Sequence, residues 1–507
     1  MPSPPLPARP SSHAPAPGSL AGEPSGARPT SAQGRALSAA IAALLTLTAF
    51  SALFESFSGW HGASLVSVAA LLGATAVGLP RMGLRERLLL AVSLAAGVWV
   101  ALSVPQAGLR IYEALDRAAF LAAFMLLLAV LRDGAQSSSD VEACGAWMTR
   151  QPPSRRYGAI AAGSHVLFLL INIGTLSLLA PLIRAGIRDS QAAGEDAEVV
   201  AAKERRQHSA QIRGWACAII WAPTTVTQAV LASLFPEADT RIVLAGGIGW
   251  GILALLAGMA EDHVRYRGLS RRMAARGVLT RRAPLPAPRE ALAGLAVVCL
   301  SLGGIALGVS LGADVGVVTA LMLGAPILTL AWIFLQGRAK GRSAAEALFE
   351  TGRRGRRIVT RTTPESAPEA YTLAFAGFIG AMAASLVPPG VLGETAGAIP
   401  AWALLMIPPV VMCIGVQFAL TPMLFAVFFG QALASGPLPV DPALLVLSLG
   451  GGWCLAMTCS PFGAGALVLS RASGVSAAKL TWGWNLPYTG YAALLLALWL
   501  ALLNELV

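Results

Sequence analysis

The sequence predicts an all-α polytopic membrane protein, about 11 transmembrane helices plus two re-entrant hairpins in an inverted-topology repeat, on three observations. Only 12% of the 507 residues are charged while 55% are apolar, against about 25% charged in a soluble domain. Apolar stretches of the length needed to cross a bilayer, about 20 residues, recur along the chain. One stretch also occurs twice, 238 positions apart. Gly214-Trp215 through Pro223 aligns without gaps on Gly452-Trp453 through Pro461, and six of the twenty positions from Gly214 and Gly452 are identical. Chance would supply roughly two matches in such a composition, and rarely at Trp or Pro.

Residues 1–35 hold nine prolines with Ser, Ala and Gly and no apolar run, the composition of a disordered, cytoplasmic tail. No basic segment leads at once into a short apolar core and cleavage site, so the first apolar segment is expected to remain as an extra span over 36–60. Full spans are read near 36–54, 62–79, 87–104, 113–131, 214–235, 241–260, 290–311, 315–335, 368–387, 443–470 and 485–505. Repeat 1 then covers 61–261, a basic loop 262–289, and repeat 2 290–507.

Charge placement fixes the expected orientation. The loop 262–289 carries eight arginines and the loop 337–367 eight arginines and lysines. Arg81, Arg85, Arg87, Arg132, Arg150, Arg155 and Arg156 mark two further loops. Basic loops stay cytoplasmic. With the N-terminus inside, all of these fall inside only if 157–183 enters and leaves on one side. The same logic places 401–435 as a hairpin on the outer side. Span 214–235 and its copy 443–470 then run in opposite directions. The net charge of +11 is absorbed by these loops, so nucleic acid is not an expected partner. The expected location is a bacterial inner membrane.

Each repeated helix is interrupted by a proline, Pro223 and Pro461, with small polar residues beside it. Paired broken helices in the two halves of a membrane protein point to a transporter's binding site. A break frees N–H groups at one half-helix start, which attract an anion, and C=O groups at the other half's end, which coordinate a cation. Thr224, Thr225, Thr227, Gln228, Ser460, Gly463 and Gly465 surround the breaks. The first hairpin adds Asn172, Gly174 and Thr175 at a polar tip. The bland alternative is a Pro kink stabilised by hydroxyls, but two matched breaks that each follow a polar hairpin favour a site.

The tip sequence, with Asn172, Thr175 and Pro181, resembles the ion transporter superfamily and most closely the divalent anion/sodium symporters, whose hairpin tip reads Ser-Asn-Thr-Ala-Thr before an apolar arm and Pro. Ile171 and Ile173 replace the flanking Ser and Thr. Cys459 to Gly465, and more loosely Ala222 to Thr225, resemble the same family's Thr-Pro-Ile-Gly interruption. In the second hairpin Gln417 and Thr421 stand where a second Ser-Asn-Thr would be, with Gln417 aligned on Asn172 and the hydroxyl neighbours missing. The resemblance extends over roughly 60–507. It implies substrate and sodium held between the two tips and the two breaks, and a homodimer. The eroded motifs put dicarboxylate as substrate in doubt.

Other candidates read as structural. His165, alone in the entering arm, is a packing residue more readily than a proton relay. Gly246-Gly247-Ile-Gly249-Trp-Gly251 opens no βαβ unit and reads as close helix packing. Asn485, Tyr488 and Thr489 could anchor the last span or close the site. The six cysteines show no C-x-x-C spacing, so no metal centre is expected beyond a sodium ion. No charged residue sits at the centre of a predicted span, which favours sodium coupling through neutral oxygens, or uniport, over a proton relay and argues against an enzyme. The expectation is a secondary active transporter of a small anionic solute, without cofactor. The alternatives are a cation/proton antiporter or arsenite-type exporter on the same fold, and the membrane subunit of a binding-protein-dependent carrier.

Overall fold

A computed structural model of the chain describes residues 32–276, 286–387, 399–434 and 439–507. The Pro-rich tail up to residue 31 lies outside the described residues. Among the described residues the only secondary structure is helical, and ten helices are long and apolar enough to cross a membrane. With the fold likeness reported below, this is a polytopic all-α membrane protein.

The first half runs α1 (Ala32–Ser58), α2 (His61–Gly78), α3 (Leu84–Ser103), α4 (Ala107–Gln136), α5 (Ser139–Thr149), α6 (Pro153–Ile171), α7 (Gly174–Ala192), α8 (Ala197–Cys217), α9 (Val226–Leu234) and α10 (Thr240–Ala275). The second runs α11 (Arg289–Ala313), α12 (Val317–Ala339), α13 (Ala344–Arg357), α14 (Ala367–Ser385), α15 (Ala401–Gly415), α16 (Pro422–Ala434), α17 (Pro442–Cys459), α18 (Ala464–Ser473) and α19 (Leu486–Asn504). A π-helical turn, Lys479–Asn485, leads into α19.

Several elements differ from the sequence reading; the basic loop 262–289 begins as helix, since α10 runs to Ala275, and the loop after the fourth span contains α5. The stretch 214–235 is not one span: α8 begins at Ala197, carries a hydrophilic first half, and ends at Cys217 before the break. Hydropathy windows start too late there because the first half of α8, up to Arg206, is hydrophilic and only partly buried, whereas burial is continuous from Gln207. The segment 337–367, read as a loop, contains α13, opened by a reciprocal Ser343–Glu346 capping box. The first arm of the second hairpin is itself long and apolar enough to be counted as a span over Ala401–Phe418.

The core follows from composition. α17 is apolar all round and buried from Ala443 to Cys459, as a helix with no polar face must be. Around it the two halves exchange partners. α6 packs on α8 as α15 packs on α17; α7 packs on α18 as α16 packs on α9; α10 packs on α8 as α19 packs on α17. Direction is set by two contacts. Cys454 Sγ donates to the Ala216 carbonyl at 2.9 Å, and a Cβ at Gly450 would stand 3.4 Å from Ile220 Cα. Four steps forward along one copy thus match four steps back along the other, so the copies cross antiparallel. Ala216 and Cys454 are themselves partners at the 238-residue offset, which places the crossing on the local twofold.

Candidate functional site: two tips and two breaks around one cavity

The first hairpin turns at Asn172, whose φ is +45°. Asn tolerates this region better than other non-glycine residues. Its N–H closes α6 onto Phe168 O at 2.8 Å, and its carbonyl accepts from Trp215 Nε1 at 3.2 Å. The second hairpin turns at Ala419, with φ +61°, two residues after Gln417. Both tips thus hold a residue at positive φ, but the two turns differ, with ψ −122° at Asn172 and 15° at Ala419. Gln417 was aligned on Asn172 from sequence, but it sits earlier in a 3-10 turn, Val416–Phe418.

Both prolines lie between half-helices: Pro223 between α8 and α9, Pro461 between α17 and α18. At the first break Thr225 caps α9, its Oγ1 accepting from Gln228 N at 3.0 Å, and Gln228 Nε2 donates to Ile220 O at 2.5 Å. At the second, Ser460 Oγ donates to Val416 O at 2.8 Å and accepts from Phe462 N at 3.2 Å, tying break to tip. Gln417 Nε2 reaches Cys413 O at 2.9 Å and Cys459 O at 3.5 Å, while its Oε1 accepts from Trp482 Nε1 at 3.0 Å. Each glutamine amide thus meets a carbonyl freed by a break, which would otherwise lack a partner.

These elements enclose a cavity of about 360 Å³. Asn172 and Ile173 line it from the first tip, Val416 and Ala419 to Pro422 from the second, Thr224 to Thr227 from the first break, and Phe462 to Ala464 from the second. The repeated tryptophans, Trp215 and Trp453, both face it, with Phe124, Phe168, Met125 and Met457. Of the residues singled out from sequence, the structure gathers Asn172, Thr224, Thr225, Thr421 and Gly463 here. Gly174, Thr175, Gln417, Ser460 and Gly465 stand behind the wall. Gly174 abuts Gln136, where a Cβ would lie 2.6 Å from Nε2. Gly465 lies beneath the Trp215 ring, where a Cβ would come within 2.5 Å. Thr175 is fully buried, and its Oγ1 has no hydrogen-bond partner.

The electrostatics come from backbone. The N-termini of α9 and α18, from opposite halves, both end on the cavity, and the N-cap Gly463 offers α18 no side-chain acceptor. Free N–H groups at such ends carry partial positive charge. Thr224 adds a buried Oγ1 with no partner. Arg85, Glu86, Arg132 and Glu369 lie along the exposed side of the lining, and Arg132 pairs with Glu369 at 3.4 Å.

Sequence reasoning missed a buried charge. Arg213, 3% exposed, donates to Asn485 Oδ1 at 2.7 Å and Tyr157 OH at 3.0 Å, pairs with Glu261 at 2.6 Å, and lies 4.2 Å from the Tyr488 ring centroid. It falls one residue before the repeated stretch, outside the apolar windows; the signal was its position seven residues after Arg206, on the same helix face. Asn485, Tyr488 and Thr489 serve this interface: Tyr488 OH meets Cys217 Sγ at 3.2 Å, and Thr489 meets Thr458 at 2.8 Å. His165 is held between Gly214 O, 3.2 Å from Nδ1, and Trp221 Nε1, which donates to its Nε2 at 3.1 Å. With Nε2 accepting, the ring is neutral and fully partnered.

No protein-family model and no curated protein matches the chain. Sixteen solved chains do. One is the crystal structure of the Alcanivorax borkumensis YdaH transporter, described as having an unusual topology. It matches with a TM-score of 0.51 and 16% identity, over 82% of this chain and 98% of that one. At this identity the likeness is one of fold. The shared fold does not single out the divalent anion/sodium symporters that the tip motif resembles.

Proposed function

We propose that this protein is a secondary transporter that moves a small organic anion across a bacterial inner membrane by alternating access. The observation that carries the reading is that two half-helix N-termini from opposite halves end on one cavity, with the Asn172 tip beside them. Positive helix ends without a neutralising carboxylate between them suit an anion. The aromatic and Met walls favour a solute with an apolar body over a bare inorganic ion. Twofold-related halves supply the means, because the cavity sits where one half can rock against the other.

The hairpins α6–α7 and α15–α16 are taken as re-entrant, entering from the inner and outer sides respectively. Arg132 of α4 and the arginine-rich ends of α10 and α13 then face the cytoplasm together with the N-terminus, and the exposed side of the cavity opens there. Sodium coupling is carried over from the sequence: backbone and hydroxyl oxygens near the breaks could hold the ion without a carboxylate.

The test is a thermal-shift screen of purified protein against organic and inorganic anions, with and without sodium. A ligand at one hundred times its Kd stabilises by about 2.7 kcal/mol. Stabilisation by an organic anion that Asn172→Gly and Thr224→Val both weaken supports the reading. An anion that stabilises both variants as well as wild type would overturn it.

A further inference from the structure

A second cavity lies away from the transport site, between the start of α6 and the end of α10, with a volume of about 1060 Å³. Its lining combines Trp147, Tyr157 and Tyr266 with Arg155, Arg267 and Arg271. None of these three arginines has an ion-pair partner among the described residues. Asp262, the acidic residue of the lining, is engaged by Arg206 through contacts of 2.7, 2.9 and 3.2 Å. The groove therefore presents uncompensated positive charge. Ser154 and Arg155, in the first turn of α6, also line it, and Pro152 provides no side-chain cap there. The partial positive charge of a helix N-terminus adds to the guanidinium groups.

The register of α10 says what would fill it. Ile252, Leu256 and Met259 are exposed at 51%, 51% and 36% and succeed one another at helical spacing. Continued along the same face, that spacing reaches His263, Arg267 and Ser270, all three in the groove lining. One face of one helix thus passes from an apolar track into a basic pocket, with Met259 in both. That is complementary to an amphiphile with an anionic head and an acyl tail. A soluble phosphate would use the pocket and leave the track uncovered.

We infer that this groove is a binding site for an anionic phospholipid, its phosphate held by Arg155, Arg267 and Arg271 and an acyl chain lying along Ile252, Leu256 and Met259. Aromatic rings with an apolar body and a polar tip, such as Trp147 and Tyr266, suit contact with a lipid headgroup.

The experiment is native mass spectrometry of the full chain in detergent, titrated with phosphatidylglycerol, phosphatidylcholine or inorganic phosphate. Wild type should retain phosphatidylglycerol in preference to phosphatidylcholine. Each arginine removed should weaken that preference about fivefold, taking roughly 1 kcal/mol per basic residue. Arg155→Lys/Arg267→Lys/Arg271→Lys should keep most of the preference, which separates loss of charge from loss of fold. Arg353→Ala, at an exposed residue paired with Glu350, should leave it unchanged. The inference is overturned if the triple alanine variant retains the wild-type lipid preference, or if inorganic phosphate displaces the lipid at equal concentration. It is also overturned if Leu256→Asn binds phosphatidylglycerol as tightly as wild type.

Discussion

Gly214 and Gly452 do the same thing in the two halves of the molecule. A Cβ on Gly214 would collide with the Ala161 carbonyl of α6, and one on Gly452 would lie 2.7 Å from Pro409 Cα of α15. In both cases the obstruction is the backbone of a hairpin arm, which cannot rotate aside. The repeated glycine is therefore the point at which each hairpin seats on its broken helix.

Gly214→Ala and Gly452→Ala should each destabilise by about 1–3 kcal/mol, the usual cost of overpacking a tight contact. Gly303→Ala, where a Cβ would meet nothing within 4 Å, should be neutral. Thermal unfolding followed by size-exclusion chromatography reads all three. A Gly214→Ala protein as stable as Gly303→Ala would mean the seat is looser than the structure has it.

Topology is open to chemical labelling. Cysteines placed at Ser270 and Ser343 in a Cys-free background should react only from the cytoplasm, and one at Asp314, in the turn between α11 and α12, only from outside. Reaction at position 270 from the periplasm would refute the re-entrant reading of α6–α7.

The tip prediction rests on Asn172. Asn172→Ala removes an amide that would contact substrate and places Ala at φ +45°. Asn172→Gly removes the amide and keeps the turn. If the amide binds, both should lose about five- to 150-fold in affinity, corresponding to roughly 1–3 kcal/mol, and the glycine variant should stay as stable as wild type. Ser470→Ala, beyond the second break, should transport normally. Equal uptake by wild type and Asn172→Gly at subsaturating substrate would remove the tip from the site.

Arg213 gives a stability prediction. Removing one member of a buried pair costs about 3–5 kcal/mol, and Arg213→Ala should approach that figure because Asn485 and Tyr157 lose their donor as well. Glu261→Gln should cost less, since its one carbonyl oxygen can still accept from either Arg213 or Arg265, which meet different oxygens of Glu261. A double-mutant cycle over the two sites, read as unfolding temperature, should show coupling. Additive effects would mean that the pair is incidental.

How much of this was legible from sequence divides along physical lines. The breaks at Pro223 and Pro461 were readable because a proline within an apolar run has a local consequence that no packing removes. The antiparallel crossing was readable through arginine counts, which report on a bilayer rather than on contacts. What failed was register and burial. Gln417 was set against Asn172 because both carry amides. The two positive-φ tip residues differ from the 238-residue offset by nine positions, because the path from tip to broken helix is shorter in the second half: α16 has 13 residues where α7 has 19. Arg213 was missed because hydropathy treats a charge beside a span as solvated, whereas here Tyr157, Glu261 and Asn485 provide a polar niche inside the protein.

The two hairpin turns share a positive φ but neither ψ nor chemistry: Asn172 has ψ −122° and Ala419 has ψ 15°. A left-handed alanine costs about 1 kcal/mol relative to residues at ease there, and Ala419 has no amide to justify that conformation by contacting a solute. At this position the second tip keeps a costly conformation with no side chain that could hydrogen-bond a solute, and it reaches the cavity through Leu420, Thr421 and Pro422 instead. Selectivity in this protein should accordingly be retuned by changes around Asn172 and the first break, and the second tip should accept glycine at 419 with a gain in stability and no change in what is transported.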